Sequence, residues 1–452
     1  MRNSKKTQDK FEYMTTTPVG PLIGTLAVPT IISMLVNTFY NLVDSYFVGK
    51  LETSAAGAVG VVYPFTMILQ AIAFYFGHGS GNFVSRKLGE KADDEAETMV
   101  SCGFFYALFI GIIFMAVGLL FREPLVDFLG STETIKPYAV DYLFYILLGT
   151  PFFMTSLVIN NHLRFQGNAL YGMIGMVTGA VINMVLDPIL ILEMDMGVKG
   201  AAIATSASQF VSFLLLLVGT TKGGSIRIRL RKFSLRFYYF KEIFRGGVPS
   251  LFRQGLGSLA AVFLNQVAGP IGGDAAITGM SIVSRITLFA NSALIGFGQG
   301  FQPVCGFNYG AGKFGRVREA FLFCVRYAFA ALILLSVLGW VFAPDLLILF
   351  KENDPAVVEV GTRALRFQCV TFPLGAWIIM ANMMLQSVGR AFSASVTAAA
   401  RQGLFFIPLI LLLPRYFAME GIFYAQPLAD VCTFLLSLPL ALHFLEEMKT
   451  RS

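Results

Sequence analysis

The chain has 452 residues, of which 56% are hydrophobic and 13% charged, with a formal net charge of +7. Soluble domains carry about twice that share of charge, and the mean hydropathy is +0.68. A soluble enzyme, a disordered tail and a disulfide scaffold are excluded. The apolar residues suffice for roughly twelve membrane spans of about 20 residues each.

Apolar runs between polar or Gly/Pro punctuation predict spans over 21–48, 54–84, 99–121, 138–163, 169–192, 199–219, 243–268, 276–305, 320–342, 358–385, 394–413 and 420–443. The fold class is an all-α polytopic membrane protein with 12 transmembrane helices. Residues 1–18 lack an apolar core with a cleavage site, so the first span is expected to stay in the mature protein.

With the N-terminus inside, the inner segments hold 21 Lys and Arg. The outer loops hold six: Lys50, Arg122, Lys136, Lys199, Lys351 and Arg415. Arg164 and Arg390 are counted among the inner loop cations. This asymmetry predicts both termini in the cytoplasm of a bacterial cytoplasmic membrane. The basic stretch KGGSIRIRLRKFSLRFYYFK, residues 222–241, is expected to be a cytoplasmic linker resting on anionic lipid headgroups. Basic residues placed this way predict the bilayer, and no nucleic acid, as the partner.

Four segments recur at a nearly constant offset. LAVPTIIS (26–33) matches GGVPSLFR (246–253), and RFQGNA (164–169) matches LQSVGRA (385–391). DPILIL (187–192) matches IPLILL (407–412), and GVKGAAIAT (197–205) matches AMEGIFYAQ (418–426). The chain is therefore expected to be a duplicated unit, comprising two six-helix bundles in the same orientation. A tail over 1–20, an N-lobe over 21–219, a basic linker over 220–242, a C-lobe over 243–443 and a tail over 444–452 follow. Such a repeat suits a transporter that alternates access, with cargo held between the lobes.

Ionisable residues within spans are costly and usually functional. Asp44 in NLVDSYFVG and Asp187 in NMVLDPILIL both fall four or five residues from the outer ends of their spans. One turn below them stand Tyr40 and Asn183, and Thr205 on the returning span reaches a comparable depth. Two carboxylates, an amide and two hydroxyls at one depth predict an ion-coupling site for a proton. The oxygens of Asp44, Asp187, Asn183 and Thr205 would equally hold sodium. At the repeat offset the second half places Asn265, Ile407 and Gln426, so coupling is expected in the first half alone. The second half carries Arg253, Arg285, Arg326, Arg363, Arg366 and Arg401 in its spans, with Asp430. An Arg401–Asp430 pair is expected to be structural rather than a contact with cargo.

The remaining features point to no other chemistry. Cys102, Cys305, Cys324, Cys369 and Cys432 sit singly in apolar stretches and are expected to pack as small hydrophobes. His78, His162 and His443 are expected near helix ends, and no metal centre is predicted from them. Gly77, Gly79 and Gly81 lack the Lys-Ser/Thr of a phosphate loop. Pro29 and Pro64 are expected to bend spans 1 and 2. ADDEAE (92–97) is the only acidic cluster a membrane-embedded transferase would have for a metal-diphosphate. It is expected to be a solvated loop, and the protein is not expected to be an enzyme.

NLVDSYFVG, NNHLRFQGNA (160–169), VINMVLDPILI and GVKGAAIAT, within a duplicated six-span unit, resemble the MATE (multidrug and toxic compound extrusion) transporters, closest to the bacterial DinF-like and MepA-like members. The resemblance covers about 20–445. It implies a functional monomer, without a cofactor, that exports amphipathic drugs or small organic cations in exchange for protons or sodium. It maps the coupling site onto Tyr40, Asp44, Asn183, Asp187 and Thr205, and it adds Asn160. NorM-like members also place acids in spans 7 and 10, where 249–267 and 366–386 have none. The alternative expectation is a flippase for a lipid-linked cargo, or an exporter of one metabolite.

Overall fold

The structure, a computed structural model, describes residues 10–350 and 354–451. Lys351 and residues 1–9 of the N-terminal tail lie outside the described residues, as does Ser452. The helices in chain order are α1 (Val19–Val48), α2 (Thr53–Gly89), α3 (Asp93–Leu120), α4 (Arg122–Phe128), α5 (Lys136–Phe165), α6 (Ala169–Pro188) and α7 (Gly197–Gly219). The second half gives α8 (Phe237–Gly310), α9 (Phe314–Val341), α10 (Ala343–Phe350), α11 (Pro355–Thr371), α12 (Leu374–Ser387), α13 (Ala391–Ala399) and α14 (Ile407–Arg451).

Nine helical stretches among the described residues are long and apolar enough to cross a membrane, and α11 with α12, bent by 57°, make a tenth. Two of the ten reverse direction, at Gly273 in α8 and at Ala418 in α14. Twelve crossings result. The tenth span was expected to be continuous over 358–385; it breaks at Phe372–Pro373, where the proline cannot donate its backbone hydrogen bond. The first span runs as one helix through Pro29.

The duplication is written into the backbone. Left-handed residues recur 221 or 222 positions apart: Lys91 (φ 61°) with Gly312 (71°), Gly167 (78°) with Gly389 (86°), and Gly197 (56°) with Ala418 (47°). Each marks the same turn between helices in its own half.

Among the described residues the apolar packing forms three large bodies and a small one around Phe104, Ile159, Leu163 and Leu216. One is built only from residues 48–202 and another only from residues 260–429. A third draws on both halves, from Met14 through Met448. The bundles thus share a core at one end and keep separate cores toward the other.

Glycine permits the shared end. A side chain at Gly79 would overlap the Ile243 carbonyl oxygen, and one at Gly300 would overlap the Ala27 backbone. Likewise Gly89 meets the Phe307 carbonyl and Gly310 the Arg86 carbonyl. These contacts are twofold related, since 221 residues separate Gly79 from Gly300, Gly89 from Gly310 and Arg86 from Phe307. The glycines let α2 and α8 cross backbone to backbone, as small residues do in membrane packing.

Both described ends of the chain gather on that face. The Lys313 ammonium donates to the Thr15 carbonyl (3.0 Å), Asn168 meets Ser225 of the linker, and Arg390 pairs with Glu447 at 2.5 Å. The acidic cluster over 92–97, expected to be a solvated loop, is instead the first turn of α3. Asp93, Asp94 and Glu95 there complement the helix dipole. Lys232 of the linker pairs with Asp94, and Arg229 lies 3.9 Å from Glu97. The linker's basic residues are thus partly committed to protein.

Two further expectations change. Arg164, counted as a loop cation, is 1% exposed and donates to the Gln299 carbonyl (2.8 Å) and to Gln302 Oε1 (3.0 Å) of the other half. His78 is not near a helix end: it is buried well inside α2, with Nδ1 3.0 Å from Ser250 Oγ. His162 does lie in the last turn of α5, buried and 2.7 Å from Ser80 Oγ. Sequence reading missed this network because its members lie far apart along the chain.

Candidate functional site

The outer half of the first bundle brings α1, α6 and α7 together around the two acids. α6 ends at Pro188 and continues as a π-helical turn over Ile189–Glu193. Such turns often mark functional positions, because the extra residue per turn re-aims side chains. Here it directly follows Asp187.

The Asp44 and Asp187 carboxyl groups approach to hydrogen-bonding range. Two carboxylates in such a contact need a proton or a cation between them. Asp187 is fully buried, and Asp44 Oδ1 is a buried oxygen with no hydrogen-bond partner. Among the described residues no Lys or Arg pairs with either acid. Asn183 is oriented so that its N–H donates to Asp187 Oδ2 (3.2 Å) and its oxygen accepts from the Thr205 backbone N–H (3.3 Å). Thr205 therefore meets the group through its backbone N–H, with its hydroxyl 3.5 Å from the Asn183 amide.

Tyr40 lies within electrostatic reach of both acids and of Tyr63 on α2. Tyr142 on α5 likewise senses Asp44, Asp187 and Tyr40, and it is buried. Sequence depth missed Tyr142: the run 138–145 holds three tyrosines, and nothing in their order says which one faces inward. Asn160 stands apart from the acids. It packs on Gly172, eleven residues inward of Asn183 along α6, or about 16 Å. A cavity of about 50 Å³ lies under the acids, bordered by Tyr40, Ser156, Asn183 and Ser208. Its wall mixes these polar groups with apolar Phe153, Leu157 and Met176, and it has room for water or a small ion.

A larger cavity of about 600 Å³ opens between the bundles where the shared core stops. Tyr63, Met67 and Gln70 of α2 form one wall, and α8, α11 and α14 with the turn over 400–406 form the others. Its volume suits a drug-sized molecule. In one wall Arg401 Nε donates to Asp430 Oδ1 at 2.7 Å, the pair expected from the sequence. Gln426 also donates to that carboxylate (3.0 Å). Tyr63 thus belongs to the cavity and also reaches Tyr40, next to the acids.

The cysteines are free, and four of the five are buried. Among the described residues no three His, Cys, Asp or Glu side chains cluster as a metal centre would require.

Twelve helices in two like bundles, splayed around a cavity and joined at one face, define a multi-pass membrane transporter. The MatE family model matches residues 29–189 and 249–412, and the chain belongs to that family. It is 25% identical over 426 residues to the multidrug export protein MepA of Staphylococcus aureus (strain MRSA252), covering 93% of each chain. Its fold is similar to a crystal structure of MATE in complex with MaL6, with a TM-score of 0.92 and 26% identity, over 97% of this chain and 99% of that one. It is also similar to an outward-facing multidrug resistance MATE family transporter of the MOP superfamily, with a TM-score of 0.90 and 26% identity, over 96% and 99% of the two chains. Family members are transporters, not enzymes.

Proposed function

We propose that the protein is a cation-coupled antiporter that exports amphipathic organic compounds across the bacterial cytoplasmic membrane, with both termini in the cytoplasm and a monomer as the working unit. The two lobes, 21–219 and 243–443, alternate access around the interlobe cavity. The observation that carries this reading is the Asp44–Asp187 contact, two carboxyls against each other without a counter-cation among the described residues. A proton, or a sodium ion held by Asp44, Asp187, Asn183 and Thr205, relieves their repulsion. Binding of that ion from outside draws the outer end of α1 toward α6.

Tyr40 and Tyr63 supply a route by which this shift reaches the cavity. If the ion lowers cargo affinity, bound cargo lowers ion affinity by the same factor. Drug efflux enters through the resemblance to MepA, a multidrug export protein. No cofactor takes part.

Dye efflux from pump-deficient bacteria, driven separately by a proton or a sodium gradient, tests the reading at matched surface expression. Efflux by the wild type that is lost in Asp44→Asn and Asp187→Asn supports coupling through the acids, and the effective gradient identifies the ion. Efflux indifferent to both substitutions overturns it.

A further inference from the structure

The charges bordering the 600 Å³ cavity have one sign to spare. Among the described residues, Arg253, Arg401 and Asp430 are its only charged lining residues. Asp430 is already engaged: it accepts from Arg401, from Gln426 and, at 3.4 Å, from the Thr371 hydroxyl. Arg401 and Asp430 cancel. Arg253 does not cancel, because its partners are neutral, Asn382 Oδ1 at 3.0 Å and Ser250 Oγ at 3.5 Å.

Arg253 lies one turn beyond Ser250, which belongs to the packed crossing, so it forms the floor of the cavity. Arg285 lies within electrostatic reach of Tyr63 in the wall, is exposed, and has no ion pair among the described residues. Amides and hydroxyls dominate the other polar lining: Gln254, Ser258, Asn265 and Gln402. An organic cation would meet no free carboxylate and would be repelled by Arg253. An anion would meet an uncancelled guanidinium, a planar donor suited to carboxylate, phosphate or sulfonate.

We propose that the interlobe cavity binds amphipathic anions, with Arg253 as the docking cation, Arg285 adding attraction beside Tyr63, and the Leu264, Phe372 and Phe406 side taking the apolar body. This rests on the transport reading, and it reverses the charge of cargo that the family resemblance implies. The shared chemistry is an anionic head on an apolar body, and it comes from either a soluble organic anion or an anionic lipid headgroup.

Two xanthene dyes of opposite charge give the test. Carboxyfluorescein and rhodamine 6G are titrated by fluorescence polarisation into the purified full-length protein in maltoside micelles. Carboxyfluorescein is expected to bind about ten-fold more tightly than rhodamine 6G. Arg253→Gln is expected to abolish that preference and Arg253→Lys to retain most of it, which separates charge from folding. The Arg401–Asp430 pair sharpens the sign. Asp430→Asn uncancels Arg401 and strengthens anion binding, whereas Arg401→Gln uncancels Asp430 and moves the preference toward rhodamine 6G.

Displacement of carboxyfluorescein by dioctanoyl phosphatidate but not by naphthalenesulfonate assigns a lipid head, and the converse assigns a soluble anion. Tighter binding of rhodamine 6G to the wild type, no measurable anion binding, or an anion preference untouched by Arg253→Gln overturns the proposal. Micelle binding needs no gradient, so the two readings fail separately. Anion binding without coupled efflux sinks the antiport reading alone. Coupled efflux of rhodamine 6G without anion binding sinks this one alone.

Discussion

Asp187 in the first bundle and Asp430 in the second are both buried carboxylates beside a π-helical turn, and their surroundings differ in one respect. Asp430 has a guanidinium at 2.7 Å, and Asp187 has a second carboxyl and, among the described residues, no cation. The repeat shows where the two halves differ. Position 401 falls on the run 179–181 (Gly-Ala-Val) in the first bundle and position 430 on Gln209, so the second bundle carries a charge pair where the first has uncharged residues. Position 253 corresponds to Ser33 in the same way. A neutralised acid is fixed and holds helices together. An acid facing another acid needs a proton or a cation between the two. The same duplicated backbone thus carries a candidate coupling site in one half and a basic cavity wall in the other.

The strongest way to break the contrast is to neutralise the acids. Asp187→Asn and Asp44→Asn are each expected to lower gradient-driven efflux by about 100-fold, and the double variant no further, because groups that act as a unit are non-additive. Initial efflux rates at equal surface expression check this. Additive losses would mean that the acids work independently.

Next comes stability. Removing Arg401 in Arg401→Ala strands a buried carboxylate and is expected to cost about 3 kcal/mol, whereas Arg401→Met with Asp430→Leu restores most of it. Reversible unfolding in mixed micelles measures both. A nearly silent Arg401→Ala would mean that the pair holds nothing together.

The twofold crossing supplies an internal control. Gly79→Ala and Gly300→Ala each push a methyl into backbone, so both are expected to loosen the shared end to a similar degree. Maleimide labelling of the buried thiol Cys305, on α8 near this crossing, is expected to rise several-fold in each, about 1–2 kcal/mol of bias. A large effect in only one would break the symmetry.

The smallest effects are expected from Thr205→Ala and Asn160→Ala, each about two- to three-fold on coupled efflux. Thr205 touches Asn183 through its main-chain N–H, which alanine keeps, and Asn160 is about 16 Å inward of Asn183. A ten-fold loss in Asn160→Ala would extend the site inward along α6.

Much of this was legible because membrane helices obey one-dimensional rules. The apolar runs set the number of spans, and an acid near the end of a span announced itself by its cost. Depth along a helix follows from counting residues, which is why Tyr40, Asp44, Asn183 and Asp187 could be placed at neighbouring levels. Helix rotation does not follow from counting. Tyr142 joins the acids and Arg164 turns from a loop cation into a buried tie because neighbouring helices fix which way each face points.

The sequence by itself determined the class, the duplication and the acids without a counterpart in the second half, since composition, period and offset are properties of the chain alone. Only the tertiary structure decided that the glycines of α2 are a crossing, that the acidic cluster over 92–97 forms the first turn of α3 and pairs with the linker, and that Arg253 and Arg401 share one cavity. Each of those is a contact between segments far apart in the chain, and such a contact exists only once both helices have a fixed position and rotation.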